Sequence, residues 1–316
     1  MLPHGVCLRK EDDGIRLFYD VWEGKMHKLH LPEVIQKRCC ASYNGWMLVA
    51  APEGTDVFLL NPLTRARIQL PPFTPTVRYL GDDWNAPRHN TPYLGGLCYS
   101  IKVMLSADLT SPECLITVSL TRCALFCCKV GDPCWTRVNN PVEIDPGDVT
   151  YHNGRFYLLY VESIVIIDSN NPNEWFVYNF EPELRAFGSH LGSFLEGKYG
   201  VYMICDYLSG GKVELYQFQE QLLKLERVTD KSNITIFNVF GSHYLTVCSG
   251  DWDSLSGKSE YRVSWKAERV RKHEVRYQYR IFSVKLNEKE ELVCYLHDVA
   301  RDLAPEPLMW FQPNFV

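Results

Sequence analysis

The chain has 316 residues, 46% hydrophobic and 22% charged, with a net charge of -5 and a pI near 6.0. That balance supplies a full globular core and excludes a global electrostatic pull toward nucleic acid or anionic lipid. The opening Met1-Leu2-Pro3-His4-Gly5-Val6 is not a secretory signal, and no run approaches the roughly 18 apolar residues that span a bilayer, so a soluble chain of the cytoplasm or nucleus is expected, without membrane or nucleic-acid partners.

Along the chain one phrase returns six times: a short apolar strand, a polar turn, and a second strand carrying Trp, Ile or Leu. The copies are 17–20 to 29–32, 58–62 to 68–71, 125–128 to 135–138, 165–168 to 175–178, 215–218 to 225–228, and 281–284 to 292–295. They lie roughly 40 to 70 residues apart, the period range of propeller blades. A lone hairpin cannot bury its faces, so repeated hairpins should stack around a common centre. Between the phrases lie strands entered through glycine turns. Asn44-Gly45 precedes Trp46-Met47-Leu48-Val49, Asn153-Gly154 precedes Arg155-Phe156-Tyr157-Leu158-Leu159, and 197–204 and 240–247 repeat the theme. Asn-Gly before β-branched and aromatic residues signals a hairpin whose two central residues take positive φ. Each blade is then an inner hairpin bent at a glycine, followed by the outer phrase.

Helical signal is weak. Segments 183–190 and 219–225 have room for a turn or two, and 260–275 has helix-friendly composition without a clean apolar stripe. The basic stretch 266–280 also holds Glu268 and Glu274 and reads as a solvated face. The predicted fold is all-β: a single β-propeller over residues 1–316, of six blades with seven as the alternative, a closed ring of antiparallel sheets. Two spacings reach about 70 residues, against roughly 40 to 50 for a plain blade. The excess holds 72–75 and 81–92 in one case and 249–257 in the other, and long insertions on repeat scaffolds project as loops that carry binding.

The twelve cysteines do not read as a disulfide framework in a chain of this size and compartment. Cys123, Cys127, Cys128 and Cys134 would suffice in number for zinc but lack paired C-x2-C spacing, and neighbours on a strand point to opposite faces. No metal or other cofactor is expected. Catalysis by a propeller hydrolase would need two carboxylates in a cleft. Asp251 with Asp253 and Asp82 with Asp83 are the candidate pairs, but neighbouring loop acids more often form turns, and no catalytic residue is assigned. His152 and His243 read as structural, Gly210-Gly211-Lys212 as a hairpin turn, and Asn233-Ile234-Thr235 as an unused glycosylation acceptor.

Trp22, Trp46, Trp135, Trp175 and Trp310 fall on strand phrases and are expected to pack between blades. Trp84 and Trp252 lie instead in the insertions. With Asp82, Asp83, Arg88, Asp251 and Asp253 they form the candidate partner-binding set, because an aromatic anchor on a polar loop is the makeup of an interaction hot spot.

The run Leu60-Asn61-Pro62-Leu63-Thr64-Arg65-Ala66-Arg67-Ile68-Gln69-Leu70-Pro71-Pro72 resembles the "NPLT…I.LPP" signature of the KIB-type β-propeller domain of plant F-box proteins. Asn44-Gly45-Trp46-Met47-Leu48 resembles its "GW-leucine" strand. Asp148-Val149-Thr150-Tyr151-His152-Asn153-Gly154-Arg155-Phe156-Tyr157 resembles its "DV.Y..G.FY" strand, and Trp310-Phe311-Gln312-Pro313 its closing "WF.P". The resemblance implies a non-catalytic, monomeric protein-interaction scaffold, the substrate-recognition part of a ubiquitin-ligase subunit, whose partner is a ubiquitination substrate. The family carries a helical F-box before the propeller. This sequence starts at the segment that follows it, so no adaptor docking is expected, and a standalone propeller that binds a partner without recruiting a ligase is the alternative. The 263–280 stretch departs from the family's closing blade and leaves the last blade boundary open.

Overall fold

The computed structural model describes residues 5–9, 14–20, 25–51, 54–73, 101–120, 124–138, 146–171, 174–181, 192–197, 200–206, 213–228, 234–239, 245–249, 259–271, 274–286, 292–303 and 309–311. The first sheet takes β1 (Gly5–Arg9), β2 (Ile15–Asp20) and β3 (Lys25–His30). The second is β4 (Arg38–Tyr43), β5 (Trp46–Ala50), β6 (Val57–Leu60) and β7 (Arg67–Leu70). The third is β8 (Ile101–Leu105), β9 (Leu115–Leu120), β10 (Ala124–Lys129) and β11 (Thr136–Arg137). The fourth is β12 (Asp148–His152), β13 (Arg155–Leu159), β14 (Ser163–Asp168) and β15 (Trp175–Asn179), and the fifth β16 (Gly192–Gly197), β17 (Gly200–Asp206), β18 (Val213–Gln219) and β19 (Lys224–Arg227). A sixth holds β20 (Ile234–Val239), β21 (Leu245–Ser249), β22 (Ser259–Arg271), β23 (Glu274–Leu286) and β24 (Leu292–Leu303). The last strand, β25 (Met309–Phe311), pairs with β1, Val6 opposite Trp310, and makes the first sheet four-stranded in the order β25-β1-β2-β3.

The sheets stand face to face because their middle strands are apolar on both sides. Every residue of β5 and β6 is buried. Alternation then splits them between two cores. Met47, Val49, Phe58 and Leu60 pack with Phe18, Leu31 and Val34 of the first sheet and its exit turn. Trp46, Leu48, Ala50, Val57 and Leu59 pack with Val103, Leu105, Ile116, Val118, Phe126 and Cys128 of the third. The fourth sheet does the same, with Val149, Phe156, Leu158, Val165 and Ile167 against Met104 and Leu125 of the third. Its Tyr157, Leu159, Ile164 and Ile166 lie against Phe194, Val201, Met203 and Phe218 of the fifth. Burying each Leu, Val or Phe in this way contributes about 1.5–3 kcal/mol. The inner strands adjoin in turn: β4 beside β8, β8 beside β12, β12 beside β16, β16 beside β21, with β25 beside both β20 and β4. This stacking of sheets on shared apolar faces is the β-propeller architecture.

All six phrases are antiparallel strand pairs, and both Asn-Gly turns have the predicted backbone: φ is 44° and 81° at Asn44 and Gly45, 45° and 80° at Asn153 and Gly154. Two expectations change. The helix-friendly 260–275 segment lies in strands β22 and β23. Its Tyr261, Val263, Trp265 and Ala267 alternate with polar residues at period two, and β22 pairs with β23 along its length and with β20 over Ser259–Val263, which holds its main chain as a strand. The sixth sheet is five-stranded with a parallel β20–β22 pair, so the sheets are not all antiparallel. The 219–225 segment holds one 3-10 turn, Glu220–Leu222, within what was expected of it, and 183–190 lies outside the described residues.

Candidate functional site

The residues that carry the sequence signatures hold neighbouring sheets together. The buried Asn61 accepts the N–H groups of Leu63 (3.0 Å) and Thr64 (3.2 Å) on its Oδ1, which folds the Asn-Pro-Leu-Thr turn and brings Arg65 to a φ of 64°. Arg65 then reaches the first sheet, with its guanidinium donating to Glu33 from Nε at 3.0 Å and to the His30 carbonyl at 2.6 Å. Trp135 of the third sheet donates its Nε1–H to the Pro71 carbonyl at 2.8 Å and stacks on Phe73, ring centroids 5.5 Å apart. Buried Asp148 takes the Phe194 N–H (2.7 Å) and the Val149 N–H (2.8 Å), with Lys102 Nζ at 3.3 Å. Its carboxylate is committed to aligning β8, β12 and β16, and these signatures are structural clamps.

All seven predicted binding residues, Asp82, Asp83, Trp84, Arg88, Asp251, Trp252 and Asp253, lie outside the described residues, as do His243, Cys123, Gly210, Gly211, Lys212, Asn233 and Trp22. His152 is half-buried beside its Asn-Gly turn. Cys128 faces the second sheet and Cys127 the fourth, while Cys134 is exposed. Burial, reinforced by the charge of Asp132, pushes the Cys127 and Cys128 thiols up and holds them protonated, the inert form.

The tryptophan expectation holds for Trp46 and Trp135, both buried, and fails for Trp175. It is 47% exposed, followed by Phe176 at 54% and Val177 at 44%. Sequence reasoning missed this surface. β15 is the outermost strand of its sheet, and among the described residues no strand pairs with its far side. Val177 and Trp175 register with Val165 and Ile167, which face the third sheet, whose own outer strand β11 is only two residues long. Nothing on that strand is long enough to cover them. The phrases 135–138 and 175–178 look alike in the sequence, so the shortness of β11 was not legible there.

The main chain of β15 is equally specific. Asp168 N–H donates to the Glu174 carbonyl (3.1 Å) and Phe180 N–H to the Glu162 carbonyl (2.8 Å). Even-numbered residues here therefore turn their amides toward β14, and the alternation of an antiparallel ladder turns those of Trp175, Val177 and Asn179 outward. On the side of the fifth sheet, Tyr178 Oη accepts the Leu225 N–H at 3.3 Å, and Arg155 reaches Glu220 at 3.5 Å. The exposed Leu222 and Leu223 stand on the turn into β19.

The family described as KIB1-4 beta-propeller matches residues 18–268. The chain belongs to this family. The KIB1-4 match covers every clamp described above. Among relatives, F-box protein At4g00893 of Arabidopsis thaliana is 41% identical over 54 residues, 17% of this chain and 14% of that protein. F-box protein At4g12382 of the same plant is 39% identical over 69 residues, 22% of this chain and 49% of its own length. The matched segments thus span less than half of either relative. Among solved structures, a quinonprotein alcohol dehydrogenase-like protein from Bacteroides thetaiotaomicron is similar over 98% of this chain and 78% of its own, at 11% identity and a TM-score of 0.45. Kluyveromyces lactis Hsv2 is similar over 93% and 94%, at 11% identity and a TM-score of 0.39.

Proposed function

We propose that this chain is a non-catalytic protein-interaction module: one six-bladed propeller over residues 1–316, closed by β25 in the first blade, whose outer surface binds a protein. The observation that carries this reading is the run Trp175-Phe176-Val177, large apolar side chains left in water on the outermost strand of a sheet whose next strand is buried from Ile164 to Ile167. Exposed apolar patches of this kind on folded domains mark contact sites. The similarity to plant F-box proteins supports a ubiquitination substrate as the partner, in the cytoplasm or nucleus, with a standalone binding propeller as the alternative. The insertions bearing Asp82, Asp83, Trp84, Arg88, Asp251, Trp252 and Asp253 are proposed as a second contact. The test is affinity capture from plant extract with the wild-type chain and a Trp175→Ser/Phe176→Ser variant. The variant is expected to melt at the wild-type temperature and to lose a partner that the wild type retains. Identical retained proteins would remove β15 from the reading.

A further inference from the structure

We infer that β15 is a strand-addition site for a basic, extended segment of the partner protein, an inference that rests on the interaction function above and specifies its chemistry. A sheet edge is a row of unpaired donors and acceptors, and folded proteins blunt it with short strands, lysine, proline or bulges. The outer strands of the first, second, third and fifth sheets follow that rule. β3 carries Lys25 and Lys28, and β7 carries Arg67, which pairs with Asp56 at 2.9 Å. β11 is two residues long and ends in Arg137, while β19 carries Lys224, Glu226 and Arg227. β15 reads Trp-Phe-Val-Tyr-Asn, with no charge, no proline and an unbroken register of five pairs to β14. Three residues in it, Trp175, Val177 and Asn179, offer main-chain N–H and C=O groups outward, at the spacing that an added strand requires.

The charge around this edge selects the occupant. Residues 156–181 contain four acids, Glu162, Asp168, Glu174 and Glu181, and no lysine or arginine. Glu162, Glu174 and Glu181 are exposed and flank the strand at both ends; Asp168 is half-buried and accepts the N–H groups of Asn170 and Asn171. The neighbouring cations are placed elsewhere: Arg155 meets Glu220 at 3.5 Å, Lys224 is 3.9 Å from Glu226, and Arg137 stands on β11. A second copy of the chain fits poorly. Antiparallel pairing of two β15 strands about Val177 would set Glu174 opposite Phe180 of the other copy and one residue from its Glu181, which gathers acids of both copies at each end of the new pair. A peptide alternating basic and apolar residues satisfies all three features: its amides meet the outward groups, its apolar side chains meet Trp175 and Val177 on one face or Phe176 on the other, and its cations meet the acidic ends.

The test is an array of random nine-residue peptides probed with the full chain and with Val177→Pro. Because the Val177 N–H points away from β14, proline there leaves the fold's own ladder intact while deleting one outward donor. Retained peptides should be rich in Lys or Arg at alternate positions, and the variant should bind them about tenfold more weakly, the loss expected when one main-chain bond is removed and its partner carbonyl is left unsatisfied. Binding should fall with added salt. Selected peptides without basic enrichment, equal binding by Val177→Pro, or no selection at all would overturn strand addition, as would sedimentation of the free chain as a dimer that Val177→Pro dissociates. A partner captured by Val177→Pro but lost by Trp175→Ser/Phe176→Ser would overturn strand addition and leave the interaction function standing.

Discussion

Trp135 and Trp175 stand in corresponding places of two repeats, one just before the outer strand of the third sheet and the other at the start of that of the fourth. Trp135 is 8% exposed, bonded to Pro71 and stacked on Phe73; Trp175 is 47% exposed. The repeat phrase is the same. What differs is the neighbour: the second sheet sends the Pro71–Phe73 segment outward to receive Trp135, whereas the third ends in a two-residue strand on the side where Trp175 stands. In a stack of sheets, the residue pattern of a strand decides which face a side chain takes, and the reach of the adjacent sheet decides whether that face is covered.

That contrast can be broken most sharply at Trp135. Trp135→Ala removes a buried ring and strands the Pro71 carbonyl, so urea denaturation should show a loss of about 3–5 kcal/mol. An unchanged midpoint would mean that the clamp between the second and third sheets is idle. Gly154→Val tests the inner half of the sheet that carries Trp175. A Cβ at Gly154 meets nothing within 4 Å, so the whole effect is strain at a φ of 80°, about 1–3 kcal/mol, read as a lowered melting temperature. The smallest change is expected from Trp175→Ser, within about 0.5 kcal/mol of wild type, as for an exposed site. If that variant melts as early as Trp135→Ala, the two tryptophans are equivalent after all.

The strand pairing was legible in the sequence because period-two phrases and Asn-Gly turns act over a few residues. The inner hairpin β8–β9 was not foreseen, since its connection 106–114 bends through Ser106, Asp108, Ser111 and their hydrogen bonds rather than through glycine. The long strands β22 and β23 were obscured by Lys, Glu and Arg, whose helix propensity is overridden by the long ladder that pairs the two strands. Trp175 was assigned to the core because exposure depends on the next sheet, which a single strand's residues do not report. Asn61, Pro71 and Asp148 were legible as a signature but not as clamps, because their partners are distant in sequence: Glu33 for Arg65 in the Asn61 turn, Trp135 for Pro71, Phe194 for Asp148.

The pairing of Val6 with Trp310 sets a timetable for biosynthesis. At the ribosome, where about 5–20 residues are added each second, β1 emerges on the order of tens of seconds before β25 exists to cover its edge. β1 therefore waits longest for its neighbour, while the second to fifth sheets each gather their strands from one continuous stretch as they appear. Nascent-chain protection is expected to matter most for β1.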